Sequence, residues 1–314
     1  MGGERTAYTV RQLDAHDADY LPAIHIALDA QPTGRGDAAE AVVELQAAAG
    51  RQAGTALLVF GGYRGRHIEG AVLAYDGGGS SALVYVPRLQ TSASKRTAVS
   101  DCLLALHTEC KVREIKILEA LLESDAQDAA RSLEGAGFRY LTRLVYLSRQ
   151  IPGQPVDVKV ADDVQWVGYT PEQEGLFCRA LDASYTESLD CPELTGLRTA
   201  EEILAGHRAS GLFDPAHWWV VTRESRPVGV LLLCGVPGRA ALEIAYIGVA
   251  QTVRGTGVAN ALVKRAIEAV RSTNAVTLTL AVDRRNLPAR RLYQRWFFRP
   301  VAMRDAWVAS SHPA

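Results

Sequence analysis

Apolar and polar positions alternate strictly from Ala275 to Asp283, where Val276, Leu278, Leu280 and Val282 interleave with Thr277, Thr279 and Ala281. That is the period of a strand. Ala241 to Val249 reads as a second strand and Val258 to Val270 as a helix. Asn286 is placed to cap a further helix with Pro288 in its first turn, and Leu292 and Trp296, four residues apart, share one face that Tyr293 borders. Thr199 and Glu202 form a capping box that opens another helix.

The N-terminal half repeats this order. Thr55–Phe60, Ile68–Tyr75 and Ser81–Val86 read as strands, with Gly77–Gly79 turning between the last two. Thr97–Cys110 then reads as a helix, Ile115–Leu121 as a strand and Asp125–Glu134 as a helix before Gly137-Phe138. That pair corresponds to Phe297-Phe298, an offset of 160 residues (298 − 138). A Pro/Gly-punctuated linker, Gln150-Ile-Pro-Gly-Gln-Pro155, divides the chain into domains at 1–150 and 156–314.

Between the strand ending at Val249 and the helix beginning at Val258 lies Arg254-Gly-Thr-Gly257. Gly255 and Gly257 let the main chain turn tightly and approach an anion, while the helix start offers unpaired amides and the positive end of its dipole. Arg254 adds a charge beside this cradle. It is not a Walker loop, since Val258 and Ala259 follow Gly257 where Lys and Ser or Thr are needed. It is not a dinucleotide fingerprint either: Asn260 holds the sixth place, and Asp283 lies too far along to bind a ribose.

With these elements in place, residues from about 160 to 310 resemble the GNAT superfamily of acyl-CoA-dependent N-acyltransferases. Val249, Arg254, Gly255, Gly257 and Ala259 match the family's Val-x-Pro-x-x-Arg-Gly-x-Gly-x-Ala arm, with Gln251 at the usual proline and Thr252 where Gln or Arg is frequent. Asn286, Ala289, Leu292, Tyr293 and Phe298 match a later Asn-x-x-Ala-x-x-Leu-Tyr-x-x-x-Gly-Phe element. Phe297 replaces its glycine. A side chain in the family's left-handed turn costs about 1–2 kcal/mol, so this turn is expected to take another shape.

The resemblance implies an α/β (α+β) fold of two tandem GNAT-like domains, each a mixed, mostly antiparallel twisted sheet flanked by helices. It implies acetyl-CoA as acyl donor, held by Ile247, Gly248 and Val249 on the fourth strand, by Arg254, Gly255, Thr256, Gly257, Val258 and Ala259 in the cradle, and by Asn286. Gly248 is expected to favour a bulge beside the thioester. Tyr293 takes the place of the general acid that protonates the departing thiolate, which a phenol with pKa near 10 does without prior ionisation. Glu243 stands where some members carry a base. Its ordinary pKa near 4.3 requires either a raised value or a water relay to deprotonate an alkylammonium. The segment before the central strands borders the acceptor site in this family, so Tyr185, Asp190 and Glu193 are placed to select a cationic amine.

The first copy lacks these active parts: Pro87–Arg96 contains no glycine at the cradle position, and Leu133 stands where Tyr293 maps. Residues 1–150 are therefore expected to be a degenerate, non-catalytic repeat forming an intramolecular pseudo-dimer with the second, in a monomer or homodimer. This tandem arrangement is similar to that of the mycothiol synthases, whose C-terminal domain acetylates a cysteinyl amine.

Composition narrows the function classes. The formal charge of −1 over 314 residues offers no basic field for nucleic acid, and Arg284-Arg285 and Arg290-Arg291 are expected to face phosphates or solvent. No apolar run of about 18 residues implies a membrane span, the N-terminus has no hydrophobic signal core, and five cysteines without disulfide-like spacing suit the cytoplasm. Cys191 has no ligand-spaced partner, and no metal is expected. The reaction expected is acetyl transfer from acetyl-CoA to the primary amine of a small molecule within a ternary complex. Acetylation of a protein lysine or N-terminus, and non-catalytic acyl-CoA sensing, are the alternatives.

Overall fold

The computed structural model describes residues 8–28, 55–88, 92–152 and 156–311. The chain forms two compact units, one of Met1–Leu141 with Arg304–Ala314 and the other of Thr142–Met303.

The first unit contains strands β1 (Thr9–Leu13), β2 (Ala56–Arg64), β3 (His67–Asp76), β4 (Ser81–Tyr85) and β5 (Ile117–Leu122) and helices α1 (Tyr20–Leu28), α2 (Ala93–Val112) and α3 (Gln127–Gly135). Neighbouring strands are antiparallel except β4 and β5. Strand alternation gives each face its own core. Leu58 and Phe60 of β2 pack with Leu103 and Leu106 of α2, whereas Val59 between them packs with Ile24 and Leu28 of α1.

The second unit contains β6 (Arg139–Gln150), β7 (Gln165–Gly168), α4 (Glu174–Tyr185), α5 (Ala200–Ala209), β8 (Leu212–Arg223), β9 (Arg226–Gly235), β10 (Ala241–Val249), α6 (Val258–Arg271), β11 (Thr277–Asp283), α7 (Leu287–Arg295) and β12 (Arg299–Ser310). The unit's strands run in the order β7, β8, β9, β10, β11, β6. Only β10 and β11 are parallel. Trp218, Val220, Val230 and Leu232 bury one sheet face under Phe177 and Leu181 of α4 and Leu204 of α5. Trp219, Val221, Leu231 and Leu233 bury the other under Leu262 and Val263 of α6.

These units do not follow a cut at residue 150. Residues Thr142–Gln150 of β6 pair with β11 and belong to the second unit, and Asp305–Ser310 of β12 pair with β5 and belong to the first. Each repeat thus gives its last strand to the other sheet, where it satisfies a strand edge that would otherwise be left open. The expected linker is described only as far as Pro152, since residues 153–155 lie outside the described segments.

Candidate active site

The geometry of the second unit turns on a fork in its sheet. β10 and β11 pair only over Ala241–Glu243 and Thr277–Thr279 and then part. Beyond the fork β10 continues against β9 to Val249, and β11 continues against β6 to Asp283. Along Ile244–Val249 alternate main-chain groups therefore face the gap, ready for an extended chain that presents its own amides. Ile247, Gly248 and Val249 all lie on this stretch.

The bulge lies at Ala245, where the pairing with β9 shifts between Ile244 and Tyr246, and not at Gly248, which pairs regularly with Val230. A different constraint holds Gly248. A Cβ there would lie 2.5 Å from Ser184 Oγ and 2.6 Å from Ser184 Cβ, because the end of α4 presses onto the strand. The bulge reverses which side chains face α4 and α5: Leu242 and Ile244 join the α6 core, whereas Tyr246 packs among α4 and α5 residues.

At the outer end of β10 the cradle takes the form the glycines require. Gly255 (φ +81°) and Gly257 (φ +99°) are both left-handed, and Gly257 caps α6. The first hydrogen bond of α6 runs from Ala261 N–H to Gly257 O, so the amides of Val258, Ala259 and Asn260 precede the helical ladder. A Cβ on Gly255 would meet nothing within 4 Å. One on Gly257 would meet Ala161 N at 3.0 Å and Lys159 O at 3.2 Å, so Gly257 admits the neighbouring chain rather than a ligand. The Thr256 hydroxyl donates to Val253 O.

Arg254 is turned away from the cradle. Its guanidinium donates to the carbonyls of Glu187 (2.9 Å), Thr186 (2.7 Å), Ser184 (3.4 Å) and Val249 (3.4 Å). It thereby caps the C-terminal end of α4, where carbonyls lack helical partners and the dipole favours a cation. Gln251 adds a bond from the same loop to the Glu187 carboxylate.

On the other arm of the fork, beyond the end of β11, α7 carries Tyr293. Asn286 caps the helix by accepting from Ala289 N–H at 3.2 Å, as its sequence position predicts. Tyr293 is buried against Phe298, and its hydroxyl has no hydrogen-bond partner among the described residues. Burial, and then the nearby Asp190 charge, raise its pKa and keep the phenol protonated. Phe297 has φ +59°, so the left-handed turn is kept despite the missing glycine and carries a strain of about 1–2 kcal/mol. The expectation of a differently shaped turn was incorrect. Phe298 N–H still closes the helix onto Tyr293 O, and this bond fixes the chain at that conformation.

On the α4 and α5 face, the three predicted acceptor residues meet different fates. Glu193 forms a two-pronged ion pair with Arg285 (2.6 and 2.9 Å) and is not an open carboxylate for a cationic amine. Arg285 also holds Asp283 at 2.8 Å, so it faces neither phosphate nor solvent alone. Arg290 donates to Arg284 O. Asp190 Oδ1 accepts from Asp283 N–H at 2.9 Å and lies 3.5 Å from Asn286 Nδ2, which places it where β11 ends and α7 begins. Tyr185 stacks at 5.3 Å on Tyr246, and burial pushes its phenol up to about 12. Glu243 occupies the last rung before the fork, opposite Thr279 and Cys234.

Several residues of this face escaped sequence reasoning. Tyr246, shifted by the bulge, shares a 2.8 Å hydrogen bond with Ser184 and stacks on His207 of α5. Burial, aided by the Arg198 charge, lowers the His207 pKa to about 3, so the ring is neutral, and its buried Nε2 has no hydrogen-bond partner among the described residues. Asp283, fully buried, accepts from Thr142 (2.8 Å), Cys191 N–H (3.2 Å) and Arg285, and so roots the 186–196 loop to the sheet. The capping box of Thr199 and Glu202 at the start of α5 could be read from the sequence, and both its bonds are present (2.8 and 3.3 Å). Among the described residues no group of three or more His, Cys, Asp or Glu is placed to hold a metal ion. No described helix is long and apolar enough to cross a membrane.

Residues 182–297, from the end of α4 to the Phe297 turn, match the Acetyltransferase (GNAT) family. The chain carries a GNAT acetyltransferase domain. That domain makes the protein an acyltransferase, and the family it matches generally uses acetyl-CoA. Solved structures extend the GNAT fold over both units. A GCN5-related N-acetyltransferase from Sphaerobacter thermophilus is similar over 98% of this chain and 96% of its own, at 17% identity and a TM-score of 0.60. A tandem GNAT protein from the clavulanic acid biosynthesis pathway covers 98% and 100%, at 15% identity and a TM-score of 0.57. A putative acetyltransferase from Pyrococcus horikoshii covers 99% and 93%, at 13% identity and a TM-score of 0.53. No curated protein sequence matches significantly.

Proposed function

We propose that the second unit transfers the acetyl group of acetyl-CoA to the primary amine of a small molecule by direct attack in a ternary complex. The observation that carries this reading is the fork between β10 and β11, with a left-handed glycine cradle following one arm and the helix that bears the unpartnered Tyr293 hydroxyl following the other. The pyrophosphate would lie on the Gly255, Val258 and Ala259 amides, the pantetheine amides along Ile247–Val249, and the sulfur near Tyr293. Attack of a neutral amine expels a thiolate that Tyr293 protonates. The presence of Tyr293 favours catalysis over sensing, because a binding module has no need of a leaving-group acid.

A small acceptor is favoured over a protein chain by the cover on the acceptor face. The 186–196 loop is held down through Asp283, Arg285 and Asn286, and Tyr246 packs among α4 and α5 residues, stacked on His207 of α5. The first unit is proposed to be non-catalytic. There β4 pairs with β5 over four of its five residues, without a comparable fork, and Leu133 is core. Its cradle equivalent is capped by Ser92, while Ser94 in the first turn of α2 is bonded to Glu69; residues 89–91 lie outside the described segments.

The test is thiol release from acetyl-CoA with a panel of amino sugars, polyamines, amino acids and peptides. Tyr293→Phe should lower kcat by about 100-fold, within the range of a lost general acid, while calorimetry finds acetyl-CoA affinity nearly unchanged. Equal turnover of both proteins would remove Tyr293 from the mechanism. Acetyl-CoA binding without release from any amine would favour sensing.

A further inference from the structure

Asp190 belongs to no element and sits within the strap 186–196, yet it is held more firmly than an acceptor-selecting loop residue needs to be. Its Oδ1 accepts from the Asp283 main chain and faces the Asn286 cap, and Asp283 is itself fixed by Thr142, Arg285 and the Cys191 amide. Its other oxygen, Oδ2, takes no hydrogen bond from any described residue. One oxygen is anchored and the other is left available.

The anchor also places Asp190 against the acid. Tyr293 lies seven residues beyond Asn286, two turns along the same face of α7. Helical side chains lean toward the N-terminus, so the Tyr293 phenol reaches back toward the end where Asp190 is held. The Asp190 charge is felt by Tyr293, by Tyr185 and by Tyr246 on the fork strand.

Reaction geometry then discriminates between two carboxylates. In the tetrahedral intermediate, sulfur and nitrogen share one carbon. The acid on sulfur and the base on nitrogen therefore lie within roughly 9 Å, two hydrogen bonds of about 3 Å plus the span across that carbon. Asp190 is held at the Asn286 cap of the helix that carries Tyr293, whereas Glu243 sits on the last paired rung, between Thr279 and Cys234, at the closed end of the fork.

We infer that Asp190, through Oδ2, binds the acceptor ammonium and takes its proton, while Asp283 and Asn286 act as positioning residues. This rests on the acetyl-transfer reading and replaces Glu243 as base. The ammonium passes one proton to Asp190, and the amine lone pair forms the C–N bond. The C–S bond breaks as Tyr293 protonates sulfur, and the tyrosinate recovers a proton from the acylated nitrogen. Asp190 releases its proton to water, so one proton leaves per turnover. Burial raises the Asp190 carboxyl pKa, which suits a proton acceptor.

The experiment compares Asp190→Asn and Glu243→Gln with the unaltered protein on two nucleophiles: the most active amine of the panel, and hydroxylamine, which is already neutral at neutral pH. Asparagine keeps the Oδ1 acceptor, so folding and acetyl-CoA affinity should hold, checked by thermal melting and calorimetry. Asp190→Asn should lower kcat for the alkylamine by about 100-fold and leave hydroxylamine turnover within about threefold, and should cost the alkylamine reaction more than Glu243→Gln does. Alkylamine turnover retained by Asp190→Asn overturns the inference, as does an equal loss with both nucleophiles, which marks a structural role. Absence of Tyr293-dependent release in the unaltered protein is a separate failure, of acetyl transfer itself, and removes the inference with it.

Discussion

Replacing Gly248 with alanine tests whether the contact between β10 and α4 holds the site together. The added Cβ would lie 2.5 Å from Ser184 Oγ, 2.6 Å from its Cβ and 2.8 Å from Tyr246 Cε1, where ordinary contact begins at 3.4 Å. The end of α4 must therefore retreat by about 1 Å, which also loosens the Ser184–Tyr246 hydrogen bond. Overpacking of this kind costs about 2 kcal/mol, or about 4–8 °C in melting temperature for a unit of this size. Thermal melting followed by circular dichroism reads the shift, and calorimetry with acetyl-CoA should show weaker binding because Gly248 lies on the fork. Ser184→Gly removes two of the three clashing atoms, and alone should destabilise by about 1 kcal/mol. Combined with Gly248→Ala it should recover about 1–2 kcal/mol of coupling. A Gly248→Ala melt within about 1 °C of the unaltered protein, or strictly additive losses in the double variant, would refute the close packing argued here.

Two further outcomes follow. Gly255→Ala forces a side chain into φ +81° although no atom blocks it, so a strain of about 1–2 kcal/mol falls on the cradle alone. Acetyl-CoA affinity should weaken by about tenfold in calorimetry, and unchanged affinity would remove the cradle from cofactor binding. For Asp283, burial pushes the carboxyl up, but hydrogen bonds from Arg285, Thr142 and the Cys191 amide outweigh it and hold the pKa below the ordinary value. A depressed folded pKa means the contribution is complete above the unfolded value near 3.9 and is lost as pH falls through the folded one. Asp283→Asn should cost about 2 kcal/mol at neutral pH, and the melting-temperature gap to the unaltered protein should narrow in acid below about pH 4. A gap that does not narrow would contradict the assignment.

The sequence was most legible where local patterns suffice. Alternation along Ala275–Asp283 marked β11, the glycine pair marked a left-handed strand-to-helix turn, and Asn286 marked the start of α7. Side-chain direction was not legible. Arg254 sits in the cradle by sequence, but carbonyls 67 and 68 residues away compete for its guanidinium. The bulge at Ala245 moves Tyr246 to the acceptor face because one extra residue inverts the strand period, and no local composition marks that residue. Asp283 was dismissed as a ribose ligand. Its structural use depends on Thr142, Cys191 and Arg285, two of which are remote in the chain. Phe297 was misjudged because the Phe298 bond to Tyr293 O overrides the preference of one residue.

The grip of Arg254 on α4 is directed entirely at main-chain oxygens. Every residue type presents the same carbonyl, so the side chains at 186 and 187 can be exchanged without loosening that tie. Acceptor preference can therefore drift by substitution in the strap while the donor end stays in register, and a library varied at these positions should retain the cofactor platform.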